Sequence, residues 1–98
     1  MTKLEEKLIE LGYEFEKTGR KSDNMVKSYI RKFEHTIICI RIGSPLYPEF
    51  DDIYVGLPGV LYKRQVVNEI NMVFNTAFEH QKILKEFGLK FIKGVEND

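Results

Sequence analysis

Leucine falls at positions 4, 8 and 11, with Ile9 beside them and charged residues filling the gaps. Spacings of four and three predict an amphipathic helix over residues 2–11. Thr2 and Glu5 stand three apart, as in a capping box, and Gly12 supplies the stop. The apolar stripe is narrow, so the helix needs a surface to dock on. The period then changes. Residues 13–17, Tyr-Glu-Phe-Glu-Lys, alternate with period two and predict a strand. Residues 18–24 are polar and contain Gly19, Ser22, Asp23 and Asn24, the composition of a loop. Two further strands follow, over 25–33 and over the β-branched run 36–42. A short connection through Glu34 and His35 makes them a hairpin.

The register of that hairpin decides what faces what. A two-residue loop puts Lys27 and Arg31 on the face of Ile38, Ile40 and Ile42. A three-residue loop puts Val26, Ser28 and Ile30 there instead. Burying two cations costs more than burying one serine, which favours the three-residue loop. Glu-His is not a favoured pair for a tight hairpin, so turn chemistry does not decide the matter.

Residues 43–50 hold Ser44-Pro45 and Tyr47-Pro48 and read as a loop. A fourth strand follows over 51–57, with Ile53, Val55 and Leu57 on one face, and Pro58-Gly59 makes a turn. The last element is the clearest. Val66, Ile70, Val73, Ala77, His80, Leu84 and Phe87 alternate spacings of four and three, and Val67 and Phe74 widen the stripe. This predicts a helix from about residue 62 to 87, ended by Gly88 with Leu89 packing back on it. Such a helix is longer than any of the strands. It must overhang the sheet, kink, or spend its excess length on a partner. Residues 94–98 read as a frayed tail. The expected architecture is one α+β domain over 1–98: a short N-terminal helix, a mainly antiparallel sheet of about four strands, and a long C-terminal helix on one face.

Composition narrows the function classes. The 98 residues carry 15 basic and 15 acidic side chains. Zero net charge argues against a nonspecific DNA binder and equally against an acidic mimic of nucleic acid. The balance is a sum over unequal segments. Residues 23–44 carry Lys27, Arg31, Lys32 and Arg41 against Asp23 and Glu34, whereas 45–62 carry Glu49, Asp51 and Asp52 with no base. The lone Cys39 excludes an internal disulfide. No apolar run reaches the roughly 20 residues of a membrane span, and acidic residues stand where a signal peptide would be apolar. The expectation is a reduced, cytoplasmic setting.

Candidate chemistry is sparse. His35 and Cys39 would lie about 13 Å apart on one strand, beyond hydrogen-bond reach. Cys39 reads as a small hydrophobe and His80 as a core or boundary histidine. The two histidines have no metal-ligand spacing, and Glu49, Asp51 and Asp52 read as a solvated loop rather than a cation site. No phosphate loop or catalytic motif is present, so neither enzyme activity nor a cofactor or metal is expected. One feature stands out. In the favoured register, Lys27, Tyr29, Arg31 and Phe33 line an open sheet face, joined by Ile37, Cys39 and Arg41 from the next strand. Basic residues interleaved with aromatics make protein interfaces, and they also make platforms for single-stranded nucleic acid.

The stretch Lys3-Leu4-Glu5-Glu6-Lys7-Leu8-Ile9-Glu10-Leu11-Gly12-Tyr13-Glu14 is followed by the Lys/Tyr strand, by the isoleucine-rich 36–42 segment and by a closing helix ending in Ile83-Leu84-Lys85. This arrangement resembles small accessory proteins encoded by phages and prophages of low-GC Gram-positive bacteria. Some small phage proteins inhibit host defence nucleases by binding them. The absence of catalytic motifs, the open aromatic and basic face and the overlong helix point to a non-enzymatic interaction module; the resemblance implies a phage or prophage protein that binds a host or phage protein, in the cytoplasm of a bacterial host. It brings no site residues. Neutral charge departs from the acidic DNA mimics, so steric or allosteric binding is expected. The candidate contact residues are Lys27, Tyr29, Arg31, Phe33 and Arg41. Homodimerisation is a further expectation, and a single-stranded nucleic-acid-binding domain is the alternative reading.

Overall fold

The computed structural model describes residues 2–18, 26–43, 51–56 and 64–97. Helix α1 spans Lys3–Glu10, and Thr2 and Glu5 form the expected reciprocal capping box. Strands β1 (Glu14–Thr18), β2 (Lys27–Lys32), β3 (Ile37–Ile42) and β4 (Asp52–Gly56) follow, then helix α2 (Arg64–Glu86) and strand β5 (Lys93–Asn97). The strands make one sheet in the order β1-β2-β3-β4-β5. The first four run antiparallel and β5 lies parallel to β4, so α2 is the crossover between them. The α+β architecture is as expected, with five strands in a mixed sheet in place of four.

Both helices end in the same way. Tyr13 N–H bonds Leu8 C=O and Gly12 N–H bonds Ile9 C=O; Leu89 N–H bonds Leu84 C=O and Gly88 N–H bonds Lys85 C=O. Each is a Schellman motif with glycine in the left-handed region, at φ 95° and 98°. The residue after each glycine, Tyr13 or Leu89, drops into the core together with the leucine it bonds. These ends fix the chain's direction as it leaves each helix.

The core lies between the helices and one sheet face. It joins Leu8, Tyr13, Tyr29, Ile38, Ile40, Ile53 and Val55 to Val73, Ala77, Leu84 and Leu89. Of the predicted α2 stripe, Val66, Val73, Ala77, His80 and Leu84 are buried. Val67 and Phe87 are exposed, so the stripe is narrower than the sequence suggests.

Two expectations are corrected. The hairpin uses the two-residue loop: Tyr29 pairs with Ile40, Arg31 with Ile38, and Lys27 with Ile42. Phe33 N–H bonds Thr36 C=O across Glu34 and His35. The cations share the isoleucine face without being buried among the isoleucines. Tyr29 fills the space between them, and their heads reach out beneath α1. Second, residues 94–97 are not a frayed tail but most of β5. Little in Lys-Gly-Val-Glu-Asn favours a strand. Pairing with β4 holds it, as does Val95 N–H donating to Gln81 Oε1 at 3.1 Å. The expectations for 19–25, 44–50 and 57–63, which are the loops and turn together with the strand ends at Met25 and Leu57 and the helix start at 62, lie outside the described residues.

Candidate functional site

The five predicted contact residues do not form one surface. Lys27, Tyr29 and Arg31 lie on the helix-covered face, whereas Arg41 pairs with Ser28 and Asp52 on the opposite face. Tyr29 is only 3% exposed. Its hydroxyl donates to Glu5 Oε2 at 2.7 Å, tying β2 to the first turn of α1. That bond is the main reason the Glu5 carboxyl falls to about 2, with Thr2 N–H adding to it. Burial, and then the hydrogen bond to Glu5, push the Tyr29 phenol up to about 12. Lys27 completes the group at 3.4 Å from Glu5.

Arg31 is committed to the fold as well. Its Nη1 donates to Leu11 C=O at 3.2 Å, and its guanidinium stacks 5.1 Å from the Phe33 ring. Phe33 is half-buried against the core. Arg41 meets Asp52 in a bidentate pair through Nε and Nη2 and lies 5.2 Å from the Tyr54 ring. Asp52 thereby holds the Arg41 pKa above its ordinary value. Cys39 lies between Ile30 and Tyr54 in the ladder, and burial pushes its thiol pKa up, away from nucleophilic use.

Asp51 and Asp52 are structural, a correction of the solvated loop expected there, while Glu49 lies outside the described residues. Asp51 and Asp52 are both buried. Asp51 Oδ1 accepts Gly43 N–H at 2.7 Å and its Oδ2 accepts Lys90 N–H at 2.9 Å. Its own C=O accepts Ile92 N–H. One residue thus joins the end of β3, the start of β4 and the approach to β5. His80 is a buried histidine, as expected, with Nδ1 2.8 Å from the Tyr13 hydroxyl. Burial, and then the Arg31 charge, lower its pKa.

Among the described residues, large apolar side chains are exposed at Ile9, Phe15 and Ile92 and, in a group, on α2. Val67, Phe74 and Phe78 recur at intervals of seven and four, which places them within about 40° of one another around the helix. Val67 is 49% and Phe78 51% exposed, and Phe74 is partly buried beside them. Gln81, one turn on, bonds β5, so this flank borders the β5 edge of the sheet. The sequence pattern assigned Val67 and Phe74 to the core stripe; Phe74 does pack against the core, whereas Val67 is exposed. The 100° advance per residue, measured from Val73 and Ala77, was the signal that could have placed Val67 on the flank.

Among the described residues, one set of metal-ligating side chains converges: Glu34 and His35 from the β2–β3 turn and Glu69 from α2. No described helix is long and apolar enough to cross a membrane. Comparison with protein-family models, curated proteins and solved structures finds no match to this chain.

Proposed function

We propose that this chain is a non-enzymatic protein-interaction module that docks a partner protein along the Val67–Phe74–Phe78 flank of α2. The observation that carries this is the half-exposed Val67 and Phe78 on one flank of a helix whose adjoining face already fills the core. A helix needing only to cover a sheet would carry polar residues there. Phenylalanine is enriched in protein interfaces, and a row of apolar side chains on a helix is a common docking element. We place it among phage and prophage accessory proteins, acting on a host protein such as a defence nuclease, on the strength of the helix and hairpin resemblance. A second copy docking through the same flank is the homodimeric form of this reading.

The nucleic-acid alternative loses its main support. It needed Tyr29 and Phe33 open for stacking, with Arg41 beside them; Tyr29 is buried and Arg41 lies across the sheet.

A photoreactive side chain at position 78, with one at the exposed position 79 as control, tests the proposal in a Gram-positive cytosol. A discrete protein adduct from 78 and none from 79 is expected. Absence of any adduct specific to 78 would falsify the reading.

A further inference from the structure

We propose that Glu34, His35 and Glu69 bind a divalent cation of the borderline class, with Zn²⁺ as its type. The three side chains come from two elements that the sequence separates by 34 residues. They offer one imidazole nitrogen and two carboxylate oxygens, all within 4.8 Å of one another. Such a set suits Zn²⁺ and its neighbours rather than Mg²⁺ or Ca²⁺, which take oxygen alone. Ligand bonds of 2.0–2.2 Å in a tetrahedral shell put neighbouring donors about 3.4 Å apart. Closing the gap needs only side-chain rotation. Glu34 is 81% and His35 40% exposed at the side chain, and they already stand 3.7 Å apart. Water completes the shell, as in sites with three protein ligands.

Glu69 is held in place for this role. Its Oε2 accepts His35 N–H and the Thr36 hydroxyl, each at 2.8 Å. Thr36 is buried, so that donor is fixed. Two bonds use about half of a carboxylate's lone-pair sites and leave the rest for a cation. Oriented carboxylates of this kind support metal sites.

The turn itself points the same way. Two-residue hairpin turns favour Asn-Gly or Gly-X, because their preferred forms need positive φ. No described non-glycine residue has positive φ, so Glu34 and His35 make a less favoured turn that Glu69 clamps from outside. Folding alone would be better served by Asn-Gly. Glutamate and histidine there supply ligands that glycine cannot. An ion bound by all three would pin the hairpin tip to α2.

The test is calorimetric titration of EDTA-stripped protein with ZnCl₂, and with MgCl₂ as the hard-cation control. His35→Ala keeps the backbone N–H that Glu69 accepts, so the turn survives; Glu34→Gln alters only an exposed side chain. We expect one Zn²⁺ per chain, no Mg²⁺ uptake, and affinity about tenfold lower or worse in each variant. His80→Gln should bind Zn²⁺ as the unaltered chain does. No Zn²⁺ uptake at submillimolar concentration, or unaltered affinity in His35→Ala, would overturn the proposal.

Discussion

Gly12 and Gly88 do the same job at two helix ends, and comparing them separates backbone strain from crowding. A Cβ at Gly88 meets nothing within 4 Å, whereas one at Gly12 comes 3.4 Å from Arg31 Nε. Gly88→Ala should cost about 1 kcal/mol, the usual penalty for a side chain at positive φ. Gly12→Ala should cost about the same, because Arg31 at 3.4 Å is in ordinary contact with the added methyl and has no need to shift. Urea denaturation of the two variants tests that equality. His80 makes a pH prediction. Its pKa is lowered in the folded chain, chiefly by burial, so between that value and the unfolded value the unfolded chain holds more protons. Stability therefore falls as pH drops below about 6.5 and levels off once the folded form also protonates. Arg31 sharpens this fall, while Glu79 opposes it. The urea midpoint should be lower at pH 5 than at pH 7.5, and His80→Gln should flatten the difference.

At the scale of elements, Asp51 joins three segments through one buried carboxylate. Asp51→Ala leaves the Gly43 and Lys90 N–H groups without that acceptor and should cost about 3 kcal/mol. Asp51→Asn keeps one acceptor oxygen and should cost less; thermal unfolding distinguishes them. The helices and the first four strands were legible because each follows from a local period or cap. The hairpin register was not. Weighing two cations against one serine treated the isoleucine face as uniformly dry. In fact α1 covers it with Glu5 and the Leu11 carbonyl positioned to receive Lys27 and Arg31. That compensation comes from residues about 20 positions away. Strand β5 escaped for a related reason: its stability lies in its neighbours, β4 and Gln81.

For the whole molecule, the unequal charge segments do not become two opposed surfaces. Arg41 of the basic segment is bound to Asp52 of the acidic one, and Lys27 lies against Glu5. The cations predicted to meet a partner are thus largely occupied within the fold, which leaves the apolar α2 flank as the docking surface we propose. Val67→Asp with Phe78→Asp should cost about 2 kcal/mol together, since each side chain is about half-buried and Asp is a weaker helix former. The same pair should abolish partner docking at that flank, including any self-association seen by sedimentation. A large loss of stability would mean that the flank is core.

By itself the sequence determined the helices, their glycine stops, the first four strands and the buried roles of Cys39 and His80. These are written in short-range periods and in single residues whose backbone or polarity admits few alternatives. The tertiary structure alone decided the strand register, the fifth strand, the burial of Asp51 and Asp52, and the meeting of His35 with Glu69. Each depends on which distant group receives a charge or a hydrogen bond. A one-residue shift in pairing reverses every face, and no local period records that choice.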